Sequence, residues 1–376
     1  MRVVERRALV LAFVVFGVFW GAWAACLPAV RHQVGASDGQ LGIALAAIAL
    51  SAVPVMPLAG RIVDRYGAAH ALPASLLGFA VVLPLPALAH SLGTLVLALV
   101  LVGLGTGALD LVANAATAAW ERVEADKLMS LVHGGFSAGV LIGSVLAGFA
   151  REAGASPLAI LGAVALVTAG VGVAQPPYRR APQEHVTRAG RLPWFLVGVG
   201  LLTAGAFLCE DAIQSWSSLQ LERGLDATPA ISGLGPGLFA GSMAVGRFAG
   251  GAISKHVRDA VLLASASLTL ALGAFVVAVA GTPAIALVGL VIAGAGTSVL
   301  APVLYSAVGA HAAPGRQGAD LAAVAAVGYA GFVAGPPLVG AISAATSLPV
   351  ALGCLGGVGL LLAVTGPLLL SGRMSG

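Results

Sequence analysis

Apolar runs of 20 residues or more follow one another along almost the whole chain, beginning with "LVLAFVVFGVFWGAWAACLPAV" from Leu9 to Val30. Each is long enough to cross the roughly 30 Å of a bilayer's hydrocarbon. A soluble core cannot absorb so much apolar surface. The composition agrees, with 59% hydrophobic and 9% charged residues, where soluble domains carry about 25% charged. The chain therefore reads as an all-α membrane protein whose main partner is the lipid bilayer. Its amino terminus has a basic start and small residues before Cys26, as a signal peptide does. The apolar run is too long for that and continues past the would-be cleavage point, so it reads as a first transmembrane helix.

Twelve helices are expected, at about 8–30, 37–59, 70–90, 92–120, 129–150, 156–175, 193–220, 229–252, 260–280, 282–310, 320–344 and 347–371. The placement of Lys and Arg tests this topology. With both termini cytoplasmic, 16 of the 19 basic residues, Arg247 among them, fall in inside segments, and only Arg31, Arg151 and Arg223 fall outside. That bias sets the orientation. The longest polar interruption, "PPYRRAPQEHVTRAGRL" at 176–192, separates an amino-terminal six-helix bundle (1–175) from a carboxy-terminal one (193–376). "AGRIVDRYG" after the second span is echoed weakly by "GGAISKHVRD" after the eighth, as expected of a parallel duplication.

The stretch "GRIVDRYG" places Gly60, Asp64, Arg65 and Gly67 on the pattern G-x-x-x-D-R-x-G between spans two and three. In this the chain resembles the major facilitator superfamily. Its fourth span, "GLGTGALDLVANAA", is similar through Asp110 and Asn114 to the fucose-permease-like branch, as are "KLMSLVHGGFSAG", "CEDAIQSWS" and "GYAGFVAGPPLVG" to related bacterial permeases. The resemblance implies two six-helix halves working by alternating access in the plasma membrane. It also implies a gate built from Gly60, Asp64, Arg65 and Gly67, with Arg122 as a charge partner. Two departures stand out. Ala68, Ala69 and His70 replace the basic residues that usually follow the loop, and the first span lacks the acid that fucose permease carries.

Polar side chains inside apolar spans are the candidate site. Asp110 falls near mid-bilayer, with Asn114 and Thr117 at helical spacing on the same face. A carboxyl there loses hydration in its charged form, so it can take and release a proton as its surroundings dry and wet. The alternative is a purely structural bond to a neighbouring helix. Span seven holds Glu210 and Asp211. Glu210, Gln214 and Ser217 share a face, with Asp211, Ser215 and Ser218 beside it. Two adjacent carboxyls cannot both face hydrocarbon. Trp216 offers a ring for stacking on a sugar or another flat apolar face, or else anchors the helix at the interface. Trp20 either lines the cavity or packs. His133, with Ser130 and Ser137, makes a polar face on span five that can approach Asp110, or is simply satisfied by a carbonyl. No Lys or Arg is expected deep in a span.

Other signals are set aside. "GFSAG" at 135–139 lacks the strand-to-helix turn of a nucleophile elbow. "GLGTG" and "GLGPG" complete no dinucleotide fingerprint, and no Walker sequence occurs. Cys26, Cys209 and Cys354 lack disulfide or ligand spacing and read as small buried hydrophobes. The expectation is a non-enzymatic secondary transporter, monomeric, with no cofactor, no metal and no nucleic-acid partner. Its small-molecule substrate would be polar and sugar-like, moved in symport with protons. Asp110, Glu210 and His133 would couple the proton, and Asn114, Gln214, Trp216, Trp20 and Asp211 would bind the solute. A proton-antiport exporter of drugs or metabolites, and a non-transporting sensor of the same fold, are the alternatives.

Overall fold

The computed structural model describes residues 2–124, 127–176, 193–253, 256–311 and 317–371, and among these there is no strand. The helices are α1 (Arg2–Val34), α2 (Asp38–Tyr66), α3 (Ala68–Val82), α4 (Leu92–Glu124), α5 (Met129–Glu152) and α6 (Pro157–Val173). They continue with α7 (Trp194–Leu219), α8 (Pro229–Ile253), α9 (Asp259–Ala278), α10 (Pro283–Thr297), α11 (Leu300–His311), α12 (Gln317–Ala345) and α13 (Leu348–Ser371). Ten helical segments among the described residues are long and apolar enough to cross a membrane, and Pro157–Val173 is a shorter apolar helix. All but the first residue of the expected loop at 176–192 lie outside the described residues.

Helix starts follow their local chemistry. Ser37 caps α2 in a box with Gln40: the Gln40 N–H donates to Oγ of Ser37 at 3.3 Å, and the Ser37 N–H donates to Oε1 of Gln40 at 2.9 Å. Ser156 and Thr282 cap α6 and α10, each followed by a proline at the first helical position, which has no N–H to satisfy. Gly67 joins α2 to α3 with φ 80°, a conformation that side-chain-bearing residues avoid. The span expected at 282–310 is interrupted at Ser298–Val299, dividing α10 from α11. Pro302 explains the break, because it has no N–H to donate to the Ser298 carbonyl one turn back.

The chain divides into two compact units, Met1–Glu184 with Ala227–Gly237, and His185–Asp226 with Leu238–Gly376. In the first, α1 packs chiefly on α5, α2 on α4, and α3 on both α4 and α6. In the second, α7 packs chiefly on α12, and α9 on α10 and α13. Counting α10 and α11 as one bent segment, the first-with-fifth, third-with-fourth and third-with-sixth pairings occur in both units. Glycines set the closest approach. A Cβ on Gly17 or Gly21 would strike the α5 backbone, and one on Gly139 or Gly143 would strike the α1 backbone. Lipid gives apolar side chains no reason to leave it, so this backbone proximity is what holds the pair.

The start of α8 belongs with the first unit. Gly148 of α5 and Gly233 of α8 meet backbone to backbone, and the Ser144 hydroxyl donates to the Gly233 carbonyl. The Glu152 carboxylate accepts the Ala230 N–H at 2.9 Å in the first turn of α8, a helix end that favours negative charge. Arg31 pairs with Asp38 at 2.8 Å, and Arg151 donates to the Ala25 carbonyl at 2.8 Å.

Candidate functional site

Within the first unit the polar residues of α4 and α5 converge. Asp110 sits near the middle of the 33-residue α4, where nearly every neighbour in sequence is apolar. The Asn114 amide nitrogen donates to Oδ1 of Asp110 at 3.0 Å and to the Asp110 carbonyl at 2.8 Å. Nε2 of His133 lies 3.2 Å from Oδ1 of Asn114. Since that amide oxygen can only accept, Nε2 carries the proton. Asn114 thus links a carboxyl on one helix to an imidazole on another. All three side chains are half-buried. Phe13 of α1 closes one side of the imidazole edge-on, at 5.2 Å between ring centroids.

The register that brings these groups together is held from the helix ends. Glu121, near the end of α4, accepts the Met129 N–H at 2.7 Å and the Leu128 N–H beside it, capping α5. His133 lies one turn further along α5. Glu121 had no role in the sequence reading, because nothing local marks it as the cap of the next helix.

Thr117 and Ser137 are both buried, and the Thr117 hydroxyl donates to its own helix at Ala113 O, 2.9 Å away. Trp20 is half-buried among Phe16 and Phe19, with centroids at 6.5 and 5.4 Å, while Trp23 is buried. In the signature loop, Asp64 and Arg65 are exposed and Gly60 and Gly67 half-buried; the Arg65 guanidinium lies 5.5 Å from the Tyr66 ring centroid, and Arg122 is exposed.

The second unit holds a different constellation. Glu210, Asp211 and Gln214 of α7 are all half-buried. Glu210 pairs with the Arg247 guanidinium of α8 at 3.5 Å. This corrects one expectation: a basic group, Arg247, does reach the interior of the spans. It lies within α8, about 9 Å (six residues) from that helix's end, and its long side chain carries the charge inward. The Tyr305 phenol of α11 is within electrostatic reach of Glu210.

Trp216 corrects a further expectation. Its ring is fully buried, so it is neither offered to a ligand nor placed at the interface, and Nε1 has no hydrogen-bond partner among the described residues. Ser217 and Ser218 are likewise buried. What α7 presents instead is an aromatic face. Phe207 stacks on Phe332 of α12 at 4.5 Å and 18°, and Tyr329 meets both rings edge-on at 6.4 and 5.5 Å. Of the cysteines, Cys26 and Cys209 are buried but Cys354 is exposed. Among the described residues no group of His, Cys, Asp and Glu could hold a metal ion.

A multi-pass bundle of apolar helices with ionisable side chains inside its spans is the architecture of a membrane carrier. A family model described as the Major Facilitator Superfamily matches residues 8–287 and, again, 199–374. The chain belongs to that superfamily. An MFS-type transporter of Yersinia pestis is 29% identical over 351 residues, covering 92% of this chain and 90% of the relative. The membrane protein MosC of Rhizobium meliloti is 29% identical over 368 residues, covering 95% and 88%. A bacterial homolog of the human lysosomal transporter Spinster, solved inward-facing and unoccupied, shares the fold. Its TM-score is 0.77 at 15% identity, over 99% of this chain and 98% of that one. Family and relatives together indicate a secondary transporter.

Proposed function

We propose that this is a proton-coupled symporter of a small polar, sugar-like solute, with twelve spans in two six-helix halves and both termini cytoplasmic in the plasma membrane. The observation that carries the reading is the hydrogen-bonded series Asp110–Asn114–His133 inside otherwise apolar helices. Ionisable groups at that depth are costly and mark ion or proton pathways. Asp110 takes the proton when its surroundings are dry and releases it when they are wet, with His133 sharing the charge through Asn114. Glu210 is the corresponding acid of the other half. Asn114, Gln214, Asp211 and Trp20 contact the solute, and Gly60, Asp64, Arg65, Gly67 and Arg122 gate the cytoplasmic side.

Reconstituted uptake tests this. A proton gradient should drive accumulation of the solute by the unaltered protein. Asp110→Asn imitates the protonated carboxyl, so it should abolish accumulation while leaving solute exchange across the membrane intact. Accumulation by the variant against its gradient would remove Asp110 from the coupling step.

A further inference from the structure

The two acids of α7 differ in their surroundings. Glu210 is engaged by Arg247. Asp211, the next residue, is half-buried and makes no hydrogen bond or ion pair among the described residues. Two carboxyl groups beside one guanidinium leave a negative charge in excess when both acids are ionised. A neutral polyol needs no such charge.

One turn before Asp211 on the same face of α7 stands Phe207. Its ring is stacked on Phe332, with Tyr329 packed edge-on, and all three are half-buried. Aromatic faces attract cations through their quadrupole, most strongly where water is excluded. A carboxylate one turn from such a cluster complements an ammonium group, and the rings themselves complement a flat apolar body.

We infer that Asp211, Phe207, Tyr329 and Phe332 form a subsite for a small organic monocation, a protonated or quaternary amine joined to a flat ring. The inference rests on the transport reading and replaces its sugar-like solute with amine-bearing ring compounds. Asp211 supplies the counter-charge, the aromatic cluster takes the ring and the adjacent methyl or methylene groups, and Gln214 donates to any polar substituent.

The probe is benzyltrimethylammonium, added to the purified full-length protein and followed by thermal stabilisation, since a ligand stabilises the state it binds. Benzyl alcohol, with the ring but no charge, and tetramethylammonium, with the charge but no ring, are the comparators. Saturable stabilisation by the probe is expected at concentrations at least about tenfold below either comparator. Asp211→Asn and Phe207→Leu should each raise the concentration needed by about tenfold or more. Equal response to probe and benzyl alcohol in the unaltered protein overturns the subsite without any variant having to fold. So does binding that survives Asp211→Asn. The two readings fail separately. Gradient-driven accumulation of a neutral solute without preference for the cation would remove the subsite and keep the transporter. Asp211-dependent cation binding without accumulation of any solute would keep the subsite and remove the coupling.

Discussion

Arg247→Met strands the Glu210 carboxylate within the second unit. At 3.5 Å the two charges attract by about 5 kcal/mol at an effective dielectric constant near 20. Desolvation and the ordering of two long side chains offset most of that. Solvent-exposed pairs net at most about 1 kcal/mol, and breaking fully buried pairs costs about 3–5 kcal/mol. With side chains 31% and 22% exposed, the single variant should lose about 2 kcal/mol, between those limits. Adding Glu210→Gln removes the stranded charge, and the double variant should recover to within about 1 kcal/mol of the parent. Equilibrium unfolding in mixed micelles, read by tryptophan fluorescence, gives all four corners of the cycle. Losses that add to within about 0.5 kcal/mol would mean that the pair is not energetically coupled and that Arg247 acts elsewhere.

Two further outcomes follow from backbone geometry. Gly143→Val should sharply reduce the yield of folded protein, because a Cβ there strikes the Val18 carbonyl of α1, whereas Gly162→Ala, which meets nothing within 4 Å, should be neutral in the same expression and size-exclusion assay. Glu152→Ala removes the acceptor of the Ala230 N–H. Hydrogen–deuterium exchange should therefore rise in the first turn of α8 and stay unchanged at the capped start of α6; unaltered exchange at 229–233 would show that the carboxylate does not hold that turn.

Much of the helical layout was legible because length and hydropathy alone define a bilayer-spanning segment. The expected spans 92–120 and 229–252 match α4 and α8 to within a few residues. The break between α10 and α11 was not, since Pro302 sits in a run that is apolar on both sides and prolines are common in spans that do not break. Asp110 and Asn114 could be paired from spacing within one helix. Their link to His133 depends on how α4 and α5 align, and that depends on Glu121. The inward reach of Arg247 was hidden for a physical reason: counting charges along the chain records where a Cα lies, while a guanidinium on a long stem acts several ångströms away. Trp216 was misjudged because an aromatic ring near a helix end suits a core, a cavity and an interface equally.

The Glu210–Arg247 pair also bears on how the chain enters its membrane. An arginine at the centre of an apolar helix costs about 2.5–3.5 kcal/mol on insertion scales when it must enter alone, and Arg247, six residues from the end of α8, carries part of that cost. Synthesis runs from α7 to α8, so the acid is already in place when the base emerges from the ribosome. An apolar α8 burdened with a guanidinium is thus a poor independent stop in the translocation channel but an acceptable second arm of a hairpin with α7. The ion pair thus lowers the cost of bringing the second arm of that hairpin into lipid once the first is there.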